Sequence, residues 1–505
     1  MPAAVRAENA PFAEQAQPSP ETHAAPSDPA LQTGSVKNVP EALRESVKPL
    51  SLSAVVSAQE RPVSLEEALT AATRQNLSLR QTQTRLRAQK WQFANQLSEF
   101  LPDVTPLFLN RQTVNGAFIV SGAIPVSVDA RTYVLGSTVQ MRVFHGFQTL
   151  LNSAAERQRY RAARAEVSRS EADILLETFQ RYDALQLAKV RIAVAESRQR
   201  EANSLLKVTQ SKFQEGLVPK LEVFQAQAQV ASAEETLVNA VNGYQLASAD
   251  LAASLGQSLL EVLTPTTDRL QPALLIEPTL TLNQLVSVAQ TQRPELQRDA
   301  LLVKAERAAR LAVLGQYLPD VTASYTTQAS GLNLQEMKNA QITQLNLNWV
   351  LGRAGVGPFV RYQQARVRTE QAELTLLQTR QQVEADVVSA FYDMQNRQAS
   401  IRLADSRLAA ESERLRLAWL RHREGLMTTT DLINAQTQTA DAQYALAEVI
   451  VGYNAAQARL LRAIGAVSAE TLLASEGPWR LPASGLPQAG SPAHSATSPP
   501  PPLQP

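Results

Sequence analysis

Two carboxylates stand at matching positions of one motif that occurs twice, Gly216-x5-Glu222-x3-Ala226 and Gly425-x5-Asp431-x3-Ala435. Each follows a glycine by six residues, near the start of a helix that resumes after a turn. There a carboxylate can complement the positive end of the helix dipole; crowded with others, it can bind cations instead. Little else in the chain could do chemistry. There is no cysteine, which excludes disulfides, thiolate zinc sites and cysteine nucleophiles. Of four histidines, His23 and His494 lie in proline-rich ends, and His145 and His422 are too few for a metal or triad site. His422 reads as a surface helix residue. No phosphate-binding glycine loop, metal-ligand spacing or nucleophile motif occurs. The expectation is a non-enzyme with no cofactor and no metal. A net charge of +1 over 505 residues argues against a nucleic-acid partner.

Long helices must carry those carboxylates. Of 28 prolines, nine fall in residues 1–62 and nine in 476–505. Both ends therefore read as disordered. Between them, Phe147–Glu215 and Phe359–Glu424 contain neither proline nor glycine over 69 and 66 residues. They are rich in Ala, Leu, Gln, Arg and Glu, which favour helix. At 1.5 Å per residue each makes a helix of roughly 100 Å. Ile401, Ala404, Leu408, Leu415 and Trp419 recur at steps of three and four, or their sum, as do Leu175, Phe179 and Tyr182. That is a coiled-coil seam. Gly216 and Gly425 end the long helices, where a left-handed residue is needed. Pro219 suits the first turn of one returning helix, and Thr428–Asp431 supplies caps for the other.

The chain is a tandem duplication. Ser64-Leu65-Glu66-Glu67-Ala68-Leu69 recurs as Thr281-Leu282-Asn283-Gln284-Leu285-Val286, and Leu101-Pro102-Asp103-Val104-Thr105 as Leu318-Pro319-Asp320-Val321-Thr322, both at an offset of 217. Further on the offset is 209, carrying Gly216-Leu217 onto Gly425-Leu426, Tyr244 onto Tyr453 and Gly256 onto Gly465. The expected layout is a disordered tail (1–62, with a signal-like stretch near 44–58), repeat 1 (63–256), a connecting segment (257–280), repeat 2 (281–465) and a C-terminal segment (466–505) that is Pro/Ser-rich and disordered from about 476. The signal-like stretch has Arg44 and Lys48 ahead of apolar Leu50–Ala58 and ends Val56-Ser57-Ala58.

Each half also holds strand candidates. Val139, Met141 and Val143 alternate with Gln140 and Arg142; Leu345, Leu347 and Trp349 alternate with Gln344, Asn346 and Asn348. A period of two gives one apolar and one polar face. Earlier strands are expected around Val104–Arg111 and Val321–Gln328, with loops at Asn115–Ala130 and Gly331–Asn339. No run approaches the 18 apolar residues of a membrane helix, so any span must be a barrel. Four strands cannot close one, and an open edge in lipid is forbidden. Three chains supply twelve, which can.

These residues resemble the TolC-type outer-membrane efflux proteins. The resemblance rests on the doubled Leu-Pro-Asp-Val-Thr, the two uninterrupted helices, and the doubled tip motif continued by Ala442, Tyr453, Ala456 and Gly465, and by Ala233, Tyr244, Ala247 and Gly256. It spans about residues 63–475. It implies a mainly α fold with a small β part: long α-helical hairpins forming a periplasmic tunnel, and four strands per chain closing a twelve-stranded barrel in a homotrimer. The implied partners are outer-membrane lipid, a periplasmic adaptor and an inner-membrane transporter. The implied role is export of drugs, small molecules or proteins.

Under that resemblance the tip motif becomes a tunnel mouth. Glu222 and Asp431 would supply six carboxylates per trimer near the closed end, with Asn434 where a second ring aspartate is expected. Met427 stands where a gating arginine is expected, and His422 where a tyrosine is. Gly216, Leu217, Val218, Gly425, Leu426 and Met427 would form the adaptor-docking tips. Val139, Met141, Val143, Leu345, Leu347 and Trp349 would face lipid. The alternative is a soluble or periplasmic coiled-coil scaffold, which leaves that apolar face without a partner.

Overall fold

The computed structural model describes residues 60–120, 124–266, 270–350, 355–474 and 477–480. The signal-like stretch near 44–58 and most of both proline-rich ends lie outside these residues. The described chain opens with β1 (Glu60–Val63), just inside the stretch read as a tail. There follow α1 (Leu65–Gln75), α2 (Leu77–Ser98), β2 (Asp103–Val120), β3 (Ile124–His145), α3 (Gln148–Gln214) and α4 (Lys220–Leu255). After β4 (Val262–Pro265) the order repeats as α5 (Leu282–Gln292), α6 (Pro294–Leu314), β5 (Asp320–Gly331), β6 (Lys338–Asn348), α7 (Val356–Arg423) and α8 (Thr429–Ile464). A short α9 (Ala469–Leu473) follows.

The long helices run 67 and 68 residues. α7 begins before the window expected for it and takes Pro358 into its first turn. An N–H is free there in any case, so the ring costs no hydrogen bond.

The duplication extends to individual contacts. Ser64 Oγ accepts the Glu67 N–H at the start of α1, and Thr281 forms a capping box with Gln284 at the start of α5. The Asn76 side chain donates to the Ser254 carbonyl at 2.8 Å; its counterpart Arg293 donates through Nε to the Ala463 carbonyl, also at 2.8 Å. Gly256 (φ 68°) lies against Gln75, and Gly465 (φ 78°) against Gln292. A Cβ at Gly256 would collide with the Gln75 carbonyl, and one at Gly465 would press tightly on the Gln292–Arg293 backbone. β1 pairs in parallel with β4 in one half; in the other, Ile276 bridges Trp479, so the chain remains tied down close to its C-terminal end.

Most of the core lies in two clusters of the helical part. Val63, Tyr182, Leu185, Leu251, Leu255 and Leu263 form one buried cluster. Phe179, Leu285, Val387, Leu460, Leu461 and Ile464 belong to the other. Away from these girdles the helices pair side by side, and most of α7 is exposed. Leu175, Phe179 and Tyr182 are buried as their spacing predicts, whereas Ile401, Ala404, Leu408, Leu415 and Trp419 are half-buried.

The four long strands make one antiparallel sheet in the order β2-β3-β5-β6. Register sets its faces, because directly opposed residues share a side. Met141 pairs with Ala323 and Ala323 with Leu345; Val139 pairs with Val104 and Tyr325; Val321 pairs with Leu347. One face is therefore apolar. Gln140, Ser324 and Gln344 form a row on the other, as do Arg142, Thr322 and Asn346. The pairing shifts between Arg142 and Phe144, which leaves Val143 without an opposite residue at a bulge.

The expected loop at Asn115–Ala130 is not what forms. β2 continues to Val120 and β3 starts at Ile124, with pairing from Asn115↔Asp129 to Val120↔Ile124. Small and turn-type residues there suggested a loop, but an antiparallel ladder satisfies the backbone and tolerates them. The second hairpin turns between Gly331 and Lys338, within the span expected. Among the described residues no helix is long and apolar enough to cross a membrane.

Candidate functional site

The two helical turns at the far end of the long helices are built alike. α3 ends at the left-handed Gly216 (φ 74°), whose N–H bonds the Phe213 carbonyl while Leu217 N–H bonds Lys212. α7 ends at Gly425 (φ 73°), with Gly425 N–H to His422 and Leu426 N–H to Arg421. This paired 6→1 and 5→2 pattern closes a helix where L side chains are strained. A Cβ at either glycine would meet nothing within 4 Å, so backbone φ alone demands glycine.

The returning helices start differently. Pro219 takes the cap position before α4 rather than the first turn expected for it, and offers no side-chain bond. Thr428 caps α8: its hydroxyl accepts the Asp431 N–H at 3.2 Å and donates to Asp431 Oδ2 at 2.7 Å. Glu222, in the first turn of α4, is held instead from across the molecule. The Thr429 hydroxyl donates to Glu222 Oε2 at 2.7 Å, and the Thr430 hydroxyl to Gln225 at 3.3 Å. Glu222 is half-buried, and Asp431 and Asn434 are exposed. The carboxylates thus sit at equivalent points, each held by a different threonine, and no hydrogen bond joins them.

Lys212 strengthens the link between the hairpins by donating from Nζ to the His422 carbonyl at 2.7 Å. Leu205, Ala418, Leu432 and Ala435 form a small buried cluster beneath, joined by Met427 and Trp419. His422 is not the surface residue expected. It is 2 % exposed, with Nδ1 3.2 Å from the Met427 carbonyl and Nε2 without a hydrogen-bond partner. Burial, with the nearby Lys212 charge, pushes its pKa below the usual histidine range, against opposing pulls from the Met427 carbonyl and Glu222. The α7 sequence could not reveal this, because Lys212 and Glu222, which stand near His422, come from the other hairpin. The run Thr428-Thr429-Thr430 was the available signal for the cross-link.

At the outermost points Leu217 is 68 % exposed and Leu426 74 %, while Val218 and Met427 are half-buried. In the sheet, Val139, Met141, Val143, Leu345, Leu347 and Trp349 are all exposed in the single chain. Trp349, just past the end of β6, donates from Nε1 to the Tyr317 carbonyl at 3.1 Å.

The model of the outer membrane efflux protein family matches this chain twice, over residues 68–257 and 285–466, one match in each half. The chain belongs to that family. A curated relative, the outer membrane efflux protein BepC of Brucella suis biovar 1 (strain 1330), is 24% identical over 419 residues, covering 81% of this chain and 86% of its own. Among solved structures, the CmeC outer membrane channel of Campylobacter jejuni superposes with a TM-score of 0.69 at 14% identity, covering 82% of this chain and 89% of that one. The outer membrane protein VceC of Vibrio cholerae gives 0.67 at 19%, covering 79% and 96%. As a member of the efflux family the chain is an outer-membrane channel protein, not an enzyme, and its long helices are its periplasmic portion.

Proposed function

We propose that this efflux-family chain is the outer-membrane duct of a tripartite export system. It would pass substrates from an inner-membrane transporter, through a periplasmic adaptor, to the exterior. The observation that carries the reading is the four-stranded sheet. Among the described residues its apolar face has no cover, and β2 and β6 are each paired on one side only. An open strand edge is not tolerated in lipid. Three copies joined β6 to β2 give a closed twelve-stranded barrel, with Val139, Met141, Leu345 and Leu347 towards lipid and Gln140, Arg142, Gln344 and Asn346 towards the lumen. β6, at 11 residues, is long enough to cross a hydrocarbon core of about 30 Å.

The exposed apolar residues of α7, among them Leu374, Leu377 and Leu403, support the same assembly, since a neighbouring copy would cover them. At the far end, Glu222, Asp431 and Asn434 would ring the tunnel mouth. The tips around Gly216, Leu217, Val218, Gly425, Leu426 and Met427 would receive the adaptor. The test is cysteine scanning of β6 in this cysteine-free chain, combined with gel analysis of the unheated protein. A lipid-phase probe should label positions 345 and 347 and spare 344 and 346, and the unheated species should run as a trimer. Labelling of the polar set, or a monomer throughout, would sink the reading.

A further inference from the structure

Among the described residues His422 is the only buried titratable group at the helical tips, and its surroundings suit only its neutral form. The tautomer follows from geometry. Nδ1 faces the Met427 carbonyl at 3.2 Å, so Nδ1 carries the proton and donates it, leaving a bare lone pair on Nε2. Nε2 is itself buried and has no hydrogen-bond partner. A proton added there would create a buried N–H with no acceptor, which is costly. It would also put a second cation beside Lys212, whose ammonium is already bound to the His422 carbonyl.

We propose that His422 is a proton-sensitive latch: acid parts the first hairpin tip from the second. The charged groups packed around the ring decide the sign. From α3, Lys212 opposes a charged imidazole; from α4, Glu222 favours one but is occupied by the Thr429 hydroxyl. On α8, Asp431 is held locally by Thr428. On α7 itself, Arg421 and Arg423 flank His422 and are exposed, and Glu424 follows them. The closed tip thus holds the ring neutral, whereas a parted tip gives it water and its ordinary pKa. Closure is then fully stabilised above the ordinary histidine pKa and weakens as pH falls from there towards the lowered value of the closed state. One such group raises the open-to-closed ratio at most about tenfold per pH unit.

The inference rests on the tips being the duct's entrance only for its meaning, so the test reads tip separation directly. Spin labels go on Gln214→Cys and Leu426→Cys in the full-length chain, diluted with unlabelled chain. Distances are measured from about pH 7.5 to about pH 5.5, the window in which histidine titrates. The native background should show longer distances in acid and His422→Gln none of that change. Glu222→Gln should enlarge the response and Lys212→Met should reduce it, opposite signs that general loosening of the tip cannot produce. An equal response in His422→Gln, or none in the native background, overturns the latch. Planar-bilayer conductance, run alongside, tests the duct: a pH-dependent separation in a chain that never conducts would sink the duct and leave the latch.

Discussion

The Thr429 hydroxyl donates to Glu222 Oε2 at 2.7 Å, so the first turn of one returning helix holds the carboxylate of the other. This single bond joins residues 207 positions apart in the chain. It couples the two halves of the duplication at their tips. Thr429→Val removes the donor and keeps the shape. The coupling between Thr429→Val and Glu222→Gln in a double-mutant cycle should be about 1 kcal/mol, discounted for the partial exposure of Glu222. The measurement is the open fraction from single-channel recording of all four proteins; additive effects would mean the bond does not hold the tip.

Barrel faces give a second prediction. Leu347→Arg should cost roughly 2–4 kcal/mol if the residue meets the membrane midplane, whereas Asn346→Arg, on the opposite face, should cost little. Folding equilibria in lipid vesicles across a urea series would measure both. Equal costs would remove the distinction between the faces.

The tips give a third. Leu217→Ser with Leu426→Ser should abolish export while trimers still form, because both side chains project from their turns and contribute little to the fold. Export per assembled trimer is the quantity to measure. Normal export from a reduced number of trimers would make the leucines structural.

A fourth concerns Asp183, deep in α3. It is 4 % exposed, its Oδ2 has no partner, and burial pushes its pKa up to about 7. The folded value lies above the unfolded one, so this carboxyl's relative stabilisation is complete below the ordinary aspartate range. It is lost as pH rises from there to about 7. Asp183→Asn should therefore raise thermal stability at pH 8 far more than at pH 4, with an upper bound of ~4 kcal/mol. Melting followed by the helical signal at both pH values is the check. A pH-independent effect would contradict the titration.

What the sequence made legible was local or periodic. Long intervals without proline or glycine gave α3 and α7, the two tip glycines gave the turns, and alternation around Leu345 gave the faces of β6. What it hid depends on partners far away in the chain. His422 is buried beside Lys212 and Glu222 of the other hairpin, and no helical period reports that. The first β-hairpin outruns its sequence pattern because Asn115, Gly116 and Pro125 look like turn residues, while the ladder across from them is not a local property. Pro219 caps α4 one position before the first turn that its fixed φ suits, because local sequence does not fix a helix end to the residue.

The paired contacts of Asn76 with Ser254 and of Arg293 with Ala463 have a historical consequence. The same backbone carbonyl is reached in both halves, first by an amide and then by a guanidinium that also binds Asp386 and Glu295. The two repeats keep the backbone meeting point and differ in the side chain that reaches it. If three such chains close a ring, six unfused half-chains satisfy the same geometry, and a half-length ancestor needed no other partner than itself. In such a ring the joined halves would be two kinds of stave, open to separate modification.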